Sequence, residues 1–560
     1  MSALFLFSSR ANTRINAGVS LLLFIWFCGG LNCVLPNHGG AGLSLPQNLL
    51  AWAVMAIIAL WCIYHLTKRC TAAGKITLPP GTCLVMGGVV LWSIPLLWSP
   101  RADWQLNALP KVLALWGMAA FYVLLLGTTS CRRLRSRWLT LLVIAALIQA
   151  FDALWQLKDF AELPRGRPYG SFQQTNVLAS FLATGLACAL WLFLQQGKRL
   201  TRVMCGTALF ALPAVMVFLQ SRAGNIGAIL ATVLLLSLTF AQKKKQSLLA
   251  VLIMAAGAGT GLFWLYNGHL FFPFFTPAIK ESSTLSRWNM LKLTGQMILL
   301  HPLAGNGYGG FESVYGALAK VTGTGLDNDT IQYPHNEFLY AWAEGGLPAV
   351  FGILLMVAGV FKRLWAQGGT RLVGVALLLP IAVHMNLEYP LYQSATHGLT
   401  IIMLLVVCGS SAESLKDERQ KLSTLWRSTL MLIPVGVLIF MLTGLQTQQQ
   451  LTLIEQQGLL PFVFSEQSVM DSLLNPYSQH DRVDFDQHIA LLVRFNQTKD
   501  PALLESFSRW AEVYLQVHND PAVYASLLMI ARAQGFPSAE RICQEAKARW
   551  ASDPRFICEK

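Results

Sequence analysis

Apolar runs long enough to cross a bilayer recur along this chain and restrict its fold more than any other feature. A membrane-crossing helix takes roughly 20 residues, and by that measure we find about thirteen runs. They cover residues 16–35, 48–66, 81–98, 110–128, 137–157, 176–195, 203–220, 224–241, 247–267, 336–361, 371–387, 394–411 and 428–446. Inside a bilayer the backbone must satisfy its own hydrogen bonds, so such runs predict helices. Composition agrees: 54% of the 560 residues are hydrophobic and 12% charged, where soluble domains carry about 25% charge. The expectation is an all-α integral membrane protein.

The net charge of +14 would suit nucleic acid if it lay on one face. Instead Lys and Arg fall in clusters between the runs: Lys68-Arg69-Lys75, Arg132-Arg133-Arg135, Lys198-Arg199-Arg202, Lys243-Lys244-Lys245, Lys362-Arg363 and Lys416-Arg419-Lys421. These occupy alternate loops. The positive-inside rule then predicts a cytoplasmic N-terminus and no nucleic-acid partner. The first run follows Arg10 and Arg14 without a small-x-small cleavage site, so a retained helix is expected. The loops 36–47, 99–109, 158–175, 268–335 and 388–393, the turn near 221, and the tail from 447 then face outward.

The loop 268–335 opens with the aromatic FFPFFTP, suited to a lipid interface. It has helical spacing over 286–300, then the Gly-rich HPLAGNGYGGFE. No strand precedes that stretch and no Gly-Lys follows it, so a tight surface loop is expected rather than a phosphate loop. The tail changes composition, with helical periodicity near 447–457, 480–495, 500–517, 521–534 and 537–550. The last two resemble a tetratricopeptide hairpin and suit a partner-facing role. Of the 11 cysteines, most are scattered in apolar runs without metal-ligand spacing. Cys543 and Cys558 lie beyond the last run; an oxidising compartment favours a bridge between them, the alternative being two free thiols.

Unusual polar residues gather in the outward loops. In IQYPHNEFLYAWAEGGLP, His335 stands between a Pro and an apolar segment, a place that suits a base of tunable pKa; simple helix capping by Asn336 is the other reading. Arg222, in LQSRAGNIG at a span boundary, is costly unless functional or snorkelling. Arg287 opens the loop helix. Two guanidinium groups suit a phosphorylated anion. Arg165 and Arg167 precede Gln173, Gln174, Thr175 and Asn176. Those amides suit sugar hydroxyls or a lipid phosphate, or a plain cap. Glu388, Tyr389 and Tyr392 form another cluster. Glu388 suits holding the His335 imidazolium or positioning an acceptor hydroxyl, or is an exposed loop acid. Asp327 and Asp329 have the spacing of a metal pair, although a solvated loop reads better. No metal site or cofactor is expected. Ionisable groups at outer ends rather than mid-membrane argue for chemistry on a lipid-anchored substrate and against transport.

QSRAG, then SRW with HPLAGNGYGGF, then YPHNEFLYAWAEGG resembles the bacterial O-antigen ligase and polymerase superfamily, over roughly residues 160–410. GSFQQTNVLASFL further resembles the Q-x-N motif of the PglL-type protein O-oligosaccharyltransferases, with Thr175 where that motif has Pro. The resemblance implies a GT-C-like membrane glycosyltransferase, metal-independent and without a cofactor, in the bacterial inner membrane. It would use an undecaprenyl-diphosphate-linked glycan on the periplasmic face and an acceptor protein, pilin-like or periplasmic. It implies His335 as the group that activates the acceptor hydroxyl. Arg222 and Arg287 would hold the donor diphosphate, Gln174 and Asn176 would be the Q-x-N pair, and Tyr389 or Tyr392 a site tyrosine. The expected organisation is N-terminal transmembrane helices (1–157), a catalytic core (158–412) with periplasmic loop 268–335, a cytoplasmic loop with the last transmembrane helix (413–446), and a helical periplasmic domain (447–560). A ligase to lipid A core, or a polymerase of the glycan, would share the donor residues.

Overall fold

The computed structural model of the chain describes residues 2–70, 78–128, 131–158, 163, 166–195, 197–268, 284–322, 331–366, 371–409, 418–421 and 423–558. In chain order the helices begin with α1 (Ser2–Cys28), α2 (Pro46–Tyr64), α3 (Thr82–Ser93), α4 (Ala102–Thr128), α5 (Cys131–Gln156), α6 (Thr175–Leu194), α7 (Arg199–Leu219) and α8 (Arg222–Asn267). Next come α9 (Thr284–Leu300), α10 (Phe311–Thr322), α11 (Glu337–Trp365), α12 (Arg371–Met385), α13 (Pro390–Gln393), α14 (Ala395–Cys408) and α15 (Thr424–Gln456). The tail adds α16 (Leu460–Ser472), α17 (His480–Thr498), α18 (Pro501–Tyr514), α19 (Pro521–Ala533) and α20 (Ser538–Arg549).

Among the described residues, 9 helices are long and apolar enough to cross a membrane; α3 with its following turn, α12 and α14 are shorter apolar helices. The protein is thus an all-helical integral membrane protein in its main architecture. One of the 9, α8, has 46 residues, roughly twice what the hydrocarbon thickness needs. Its backbone leaves the helical region at Lys243 (φ −135°, ψ 39°). The two arms on either side match the predicted runs 224–241 and 247–267, with the basic cluster at the bend. One departure from all-α is a small antiparallel ribbon, β1 (Thr67–Cys70) with β2 (Glu418–Lys421), in which Thr67 pairs with Lys421. It joins two of the basic loops, whose backbone groups satisfy one another there.

The chain forms two compact units. The first comprises Met1–Met86, Trp116–Glu281 and Met356–Leu445. Its centre is α6, every residue of which is buried. Small residues let neighbouring helices approach, as membrane packing favours: a Cβ on Gly224 would press on Ala179 of α6, and one on Gly227 on Pro380 of α12.

The second unit comprises Gly87–Leu115, Ser282–Leu355 and Gln446–Lys560. The Gly-rich segment predicted to be a surface loop is exposed over 301–304 but packed inside the unit from Gly307 on: Tyr308 is 0% and Phe311 1% exposed. Glycine is required there, because Gly309 has φ 82° and a Cβ would run into the Trp104 carbonyl. Helix α11, read from sequence as one apolar segment from 336, breaks at Gly346 (φ 62°, ψ −157°), two residues before Pro348. The break lets Leu347 N–H bond to the Leu303 carbonyl (3.0 Å), joining AEGG to the Gly-rich loop.

In the tail, the predicted helix 447–457 is the end of α15. The QTQQQLTLIEQ stretch is rich in helix formers, so the helix continues past its apolar part. Sequence reading missed α16 and also α10. The predicted hairpin is present as α19 packed on α20 through a turn at Gly535 (φ 67°). Cys543 and Cys558 are bridged.

Candidate active site

In the first unit, two glutamines of α5 shape the loop before α6. Gln156 Oε1 accepts from the Tyr169 and Gly170 amides (3.0 and 2.9 Å), and Gln149 Oε1 accepts from Ser171 N–H (3.2 Å). The chain then turns through Gln173 in the left-handed region (φ 59°). This separates the adjacent glutamines. Gln173 directs its amide to Gln47 Oε1 (3.4 Å). Gln174 caps α6 by accepting from Val177 N–H (2.7 Å) and donates to Glu388 Oε2 (3.1 Å). Asn176 donates to Glu388 Oε1 (2.5 Å).

Glu388 is therefore no exposed loop acid. It is 3% exposed, and two amides consume their donors on its carboxylate. The imidazole beside it in this unit is that of His384, one turn earlier, with Nε2 3.5 Å from Glu388 Oε2. Behind His384 lie Ser180 (2.7 Å from His384 Nδ1) and His397 (Nε2 3.0 Å from Ser180 Oγ). The sequence reading passed over all three. The signal was present: an ionisable residue inside an apolar run is a functional candidate by default, and both histidines interrupt such runs.

Arg167 is also buried, at 8% exposure. Its Nη1 donates to the Leu219 carbonyl (3.1 Å), at the end of α7, where a cation complements the helix dipole. That contact fixes the next turn, in which Gln220 is left-handed (φ 45°) and Ser221 caps α8 by accepting from Gly224 N–H (3.3 Å). Arg222 is the first residue of α8 and is exposed. A cation at the positive end of a helix is locally unfavourable, so helix stability does not explain it. Tyr389 and Tyr392, both half-buried, flank and enter the short α13 beside Glu388.

In the second unit, Asn336 does cap α11: its Oδ1 accepts from Leu339 N–H (2.9 Å). His335 precedes that cap with a left-handed backbone (φ 55°). Nearby, Tyr333 meets Tyr340 (ring centroids 5.7 Å) and Tyr340 meets Phe311 (5.3 Å). Lys111 donates to Tyr340 Oη (3.1 Å) and pairs with the buried Glu344. Glu344 Oε1 in turn accepts from Gly309 and Phe311 N–H (2.9 and 3.2 Å). Amides that could have cradled a phosphate are thus filled by the protein's own carboxylate. Arg287 lies in the first turn of α9, partly exposed beside Trp288, which is 65% exposed. Arg165, Asp327 and Asp329 lie outside the described residues.

The structure thus brings Gln174, Asn176 and Glu388 together in the first unit. Arg167 sits under the turn that leads to Arg222. His335 and Arg287 belong to the second unit. Three family models match the chain: one described as protein glycosylation ligase over residues 168–193, one as O-antigen ligase over 207–354, and one as virulence factor membrane-bound polymerase, C-terminal, over 372–557. No curated protein matches it.

Proposed function

Because the chain belongs to the O-antigen ligase and polymerase superfamily, we propose that it transfers a preassembled glycan from undecaprenyl diphosphate to Ser or Thr hydroxyls of periplasmic, pilin-like proteins. The observation that carries this reading is the convergence of Gln174 and Asn176 on Glu388, within the stretch similar to protein glycosylation ligases. In the reaction, the acceptor oxygen forms a bond to the anomeric carbon as that carbon's bond to the diphosphate breaks. The electron pair leaves with the lipid diphosphate. Arg222 and Arg287 stabilise the charge that grows there. His335 takes the hydroxyl proton. One displacement inverts the anomeric configuration. Arg167 positions the turn that carries Arg222, Glu388 orders the Q-x-N amides, and Tyr389 or Tyr392 borders the acceptor.

We assign the enzyme to the bacterial inner membrane, with about thirteen crossings, a cytoplasmic N-terminus and a periplasmic tail. The alternating basic loops support this, as does the β1–β2 ribbon, which joins two loops of the same parity. The Cys543–Cys558 bridge fits an oxidising compartment. A second reading, transfer to lipid A core or extension of the glycan, is favoured by the matches over 207–354 and 372–557. Labelled lipid-linked glycan supplied to membranes containing the chain separates them. Label on protein supports the first reading; label only on lipid A core or on lengthened lipid-linked glycan supports the second.

A further inference from the structure

Ser180 on α6 is fully buried and meets two histidines that are also 0% exposed. His384 Nδ1 lies 2.7 Å and His397 Nε2 3.0 Å from its Oγ. The Val177 carbonyl is a further 3.0 Å neighbour. His397 Nδ1 continues to Ser394 Oγ (3.0 Å), the cap of α14. At the other end, His384 Nε2 lies 3.5 Å from Glu388 Oε2, an ion-pair distance without a hydrogen bond.

The polarity of this chain follows from the state of Glu388. Two amides donate to its carboxylate, which favours the ionised form, while burial opposes it. Beside an ionised Glu388, His384 Nε2 carries the proton, because a lone pair facing a carboxylate is repulsive. If His384 is neutral, its Nδ1 accepts from Ser180 O–H. Ser180 accepts from His397 Nε2–H, and His397 Nδ1 from Ser394 O–H. If Ser180 turns instead to the Val177 carbonyl, His384 Nδ1 must donate, and His384 is an imidazolium facing the same carboxylate. Both arrangements are compatible with an ionised Glu388. The titratable groups involved are Glu388 and His384 beside and on α12, and His397 on α14; α6 contributes the neutral Gln174, Asn176 and Ser180.

We propose that Ser394, His397 and Ser180 form a buried hydrogen-bond chain that fixes the His384 imidazole beside Glu388, and that the imidazole, by its charge and closeness, keeps Glu388 ionised and aimed at Gln174 and Asn176. Its members are positioning residues for the transfer reaction. Buried polar groups are expensive in a membrane bundle, and these tie α6, α12 and α14 together at the motif. The inference rests on the proposed function for its catalytic meaning, but not for its test.

The test uses full-length protein in detergent. Infrared spectra of wild type minus Glu388→Gln isolate the Glu388 band without any substrate. Wild type should show a carboxylate stretch, and His384→Ala should move part of it to the carboxylic-acid stretch. In transfer assays His384→Ala and Ser180→Ala should each lower kcat by roughly tenfold, the low end for loss of an orienting partner, with donor KM unchanged. His384→Gln, which returns a donor toward Glu388, and Ser180→Thr, which returns the hydroxyl, should restore most of it. An acid band in wild type overturns the proposal. So does wild-type kcat in both alanine variants, or a loss that follows the melting temperature and is not restored by Gln or Thr. If wild type glycosylates no protein, the functional reading fails while the infrared bands still decide the chain.

Discussion

His335 holds a left-handed backbone (φ 55°) in front of the Asn336 cap, a conformation that costs a non-glycine residue about 1 kcal/mol or more. Capping alone does not need it, and strain kept at a fixed place points to a function for the side chain. Glycine adopts the same φ freely. His335→Gly should therefore fold at least as well as wild type and yet lose transfer by about 100-fold or more. Near-normal transfer by that variant removes the base from the mechanism. Arg222→Lys and Arg287→Lys keep the charge but lose the planar fork; each should raise the donor Kd roughly tenfold or more, read by binding of labelled lipid-linked sugar. Unchanged affinity in both removes the diphosphate clamp. The polar residues of the outer loops were legible in sequence because they interrupt an apolar background. That Gln174 reaches Glu388 while Gln173 turns to Gln47 was not, because it depends on one left-handed residue that turns adjacent side chains apart. Glu388 was read as facing outward because its partners, Gln174, Asn176 and His384, are distant or lie within runs that were read only for length.

At the scale of elements, apolar length located the helices long enough to cross a membrane, 9 among the described residues, but not α10, α16 or the break at Gly346. The bend at Lys243 falls on the basic cluster between two predicted runs, whereas Gly346 stops its helix within a pattern that continues across it. Gly346 does so because backbone from 303–305 occupies the space a side chain would need. Packing of the Gly-rich loop was also hidden, because its partner Glu344 lies in the next helix along. Gly309→Ala should lower stability by about 2 kcal/mol from backbone strain alone, seen as a drop in Tm; an unchanged Tm contradicts the packed loop. The tail is held to α10 by Glu312, which meets His518 Nδ1 (3.0 Å) and accepts from Asn519 N–H (2.7 Å). Burial disfavours the His518 imidazolium, but the hydrogen bond and charge of Glu312, with Asp481 and Asp520, outweigh it and raise the pKa above the ordinary 6.5. A raised pKa means that this stabilisation is complete below the unfolded value and is lost as pH rises through the folded one. Protection of the α10 amides relative to their intrinsic, base-catalysed exchange should be greater at about pH 6 than at about pH 8, and His518→Gln should abolish the difference. Equal or smaller protection at the lower pH in wild type contradicts the link.

For the whole molecule, charge asymmetry and apolar length carry the topology, and the Cys543–Cys558 bridge adds a chemical mark of compartment. A loop with a sequence separation of 15 gives about 3 kcal/mol in the chain-entropy view. Thiol labelling of denatured, unreduced protein should leave both cysteines unmodified until reductant is added; free labelling of both contradicts a tail in an oxidising compartment. Arginines at span ends suggested a phosphorylated anion, and only the family resemblance suggested a lipid-linked donor. Sequence could not settle the acceptor, which is recognised by surfaces that motifs do not spell. The central claim is transfer of a whole glycan to a protein hydroxyl. The purified chain, lipid-diphosphate-linked glycan and a pilin-type acceptor, incubated in excess chelator, test it through the intact mass of the acceptor. The account predicts an acceptor heavier by one complete glycan on Ser or Thr, with wild type and not with His335→Gly. An acceptor of unchanged mass while the same glycan appears on lipid A core, or grows on its own lipid carrier, would contradict it.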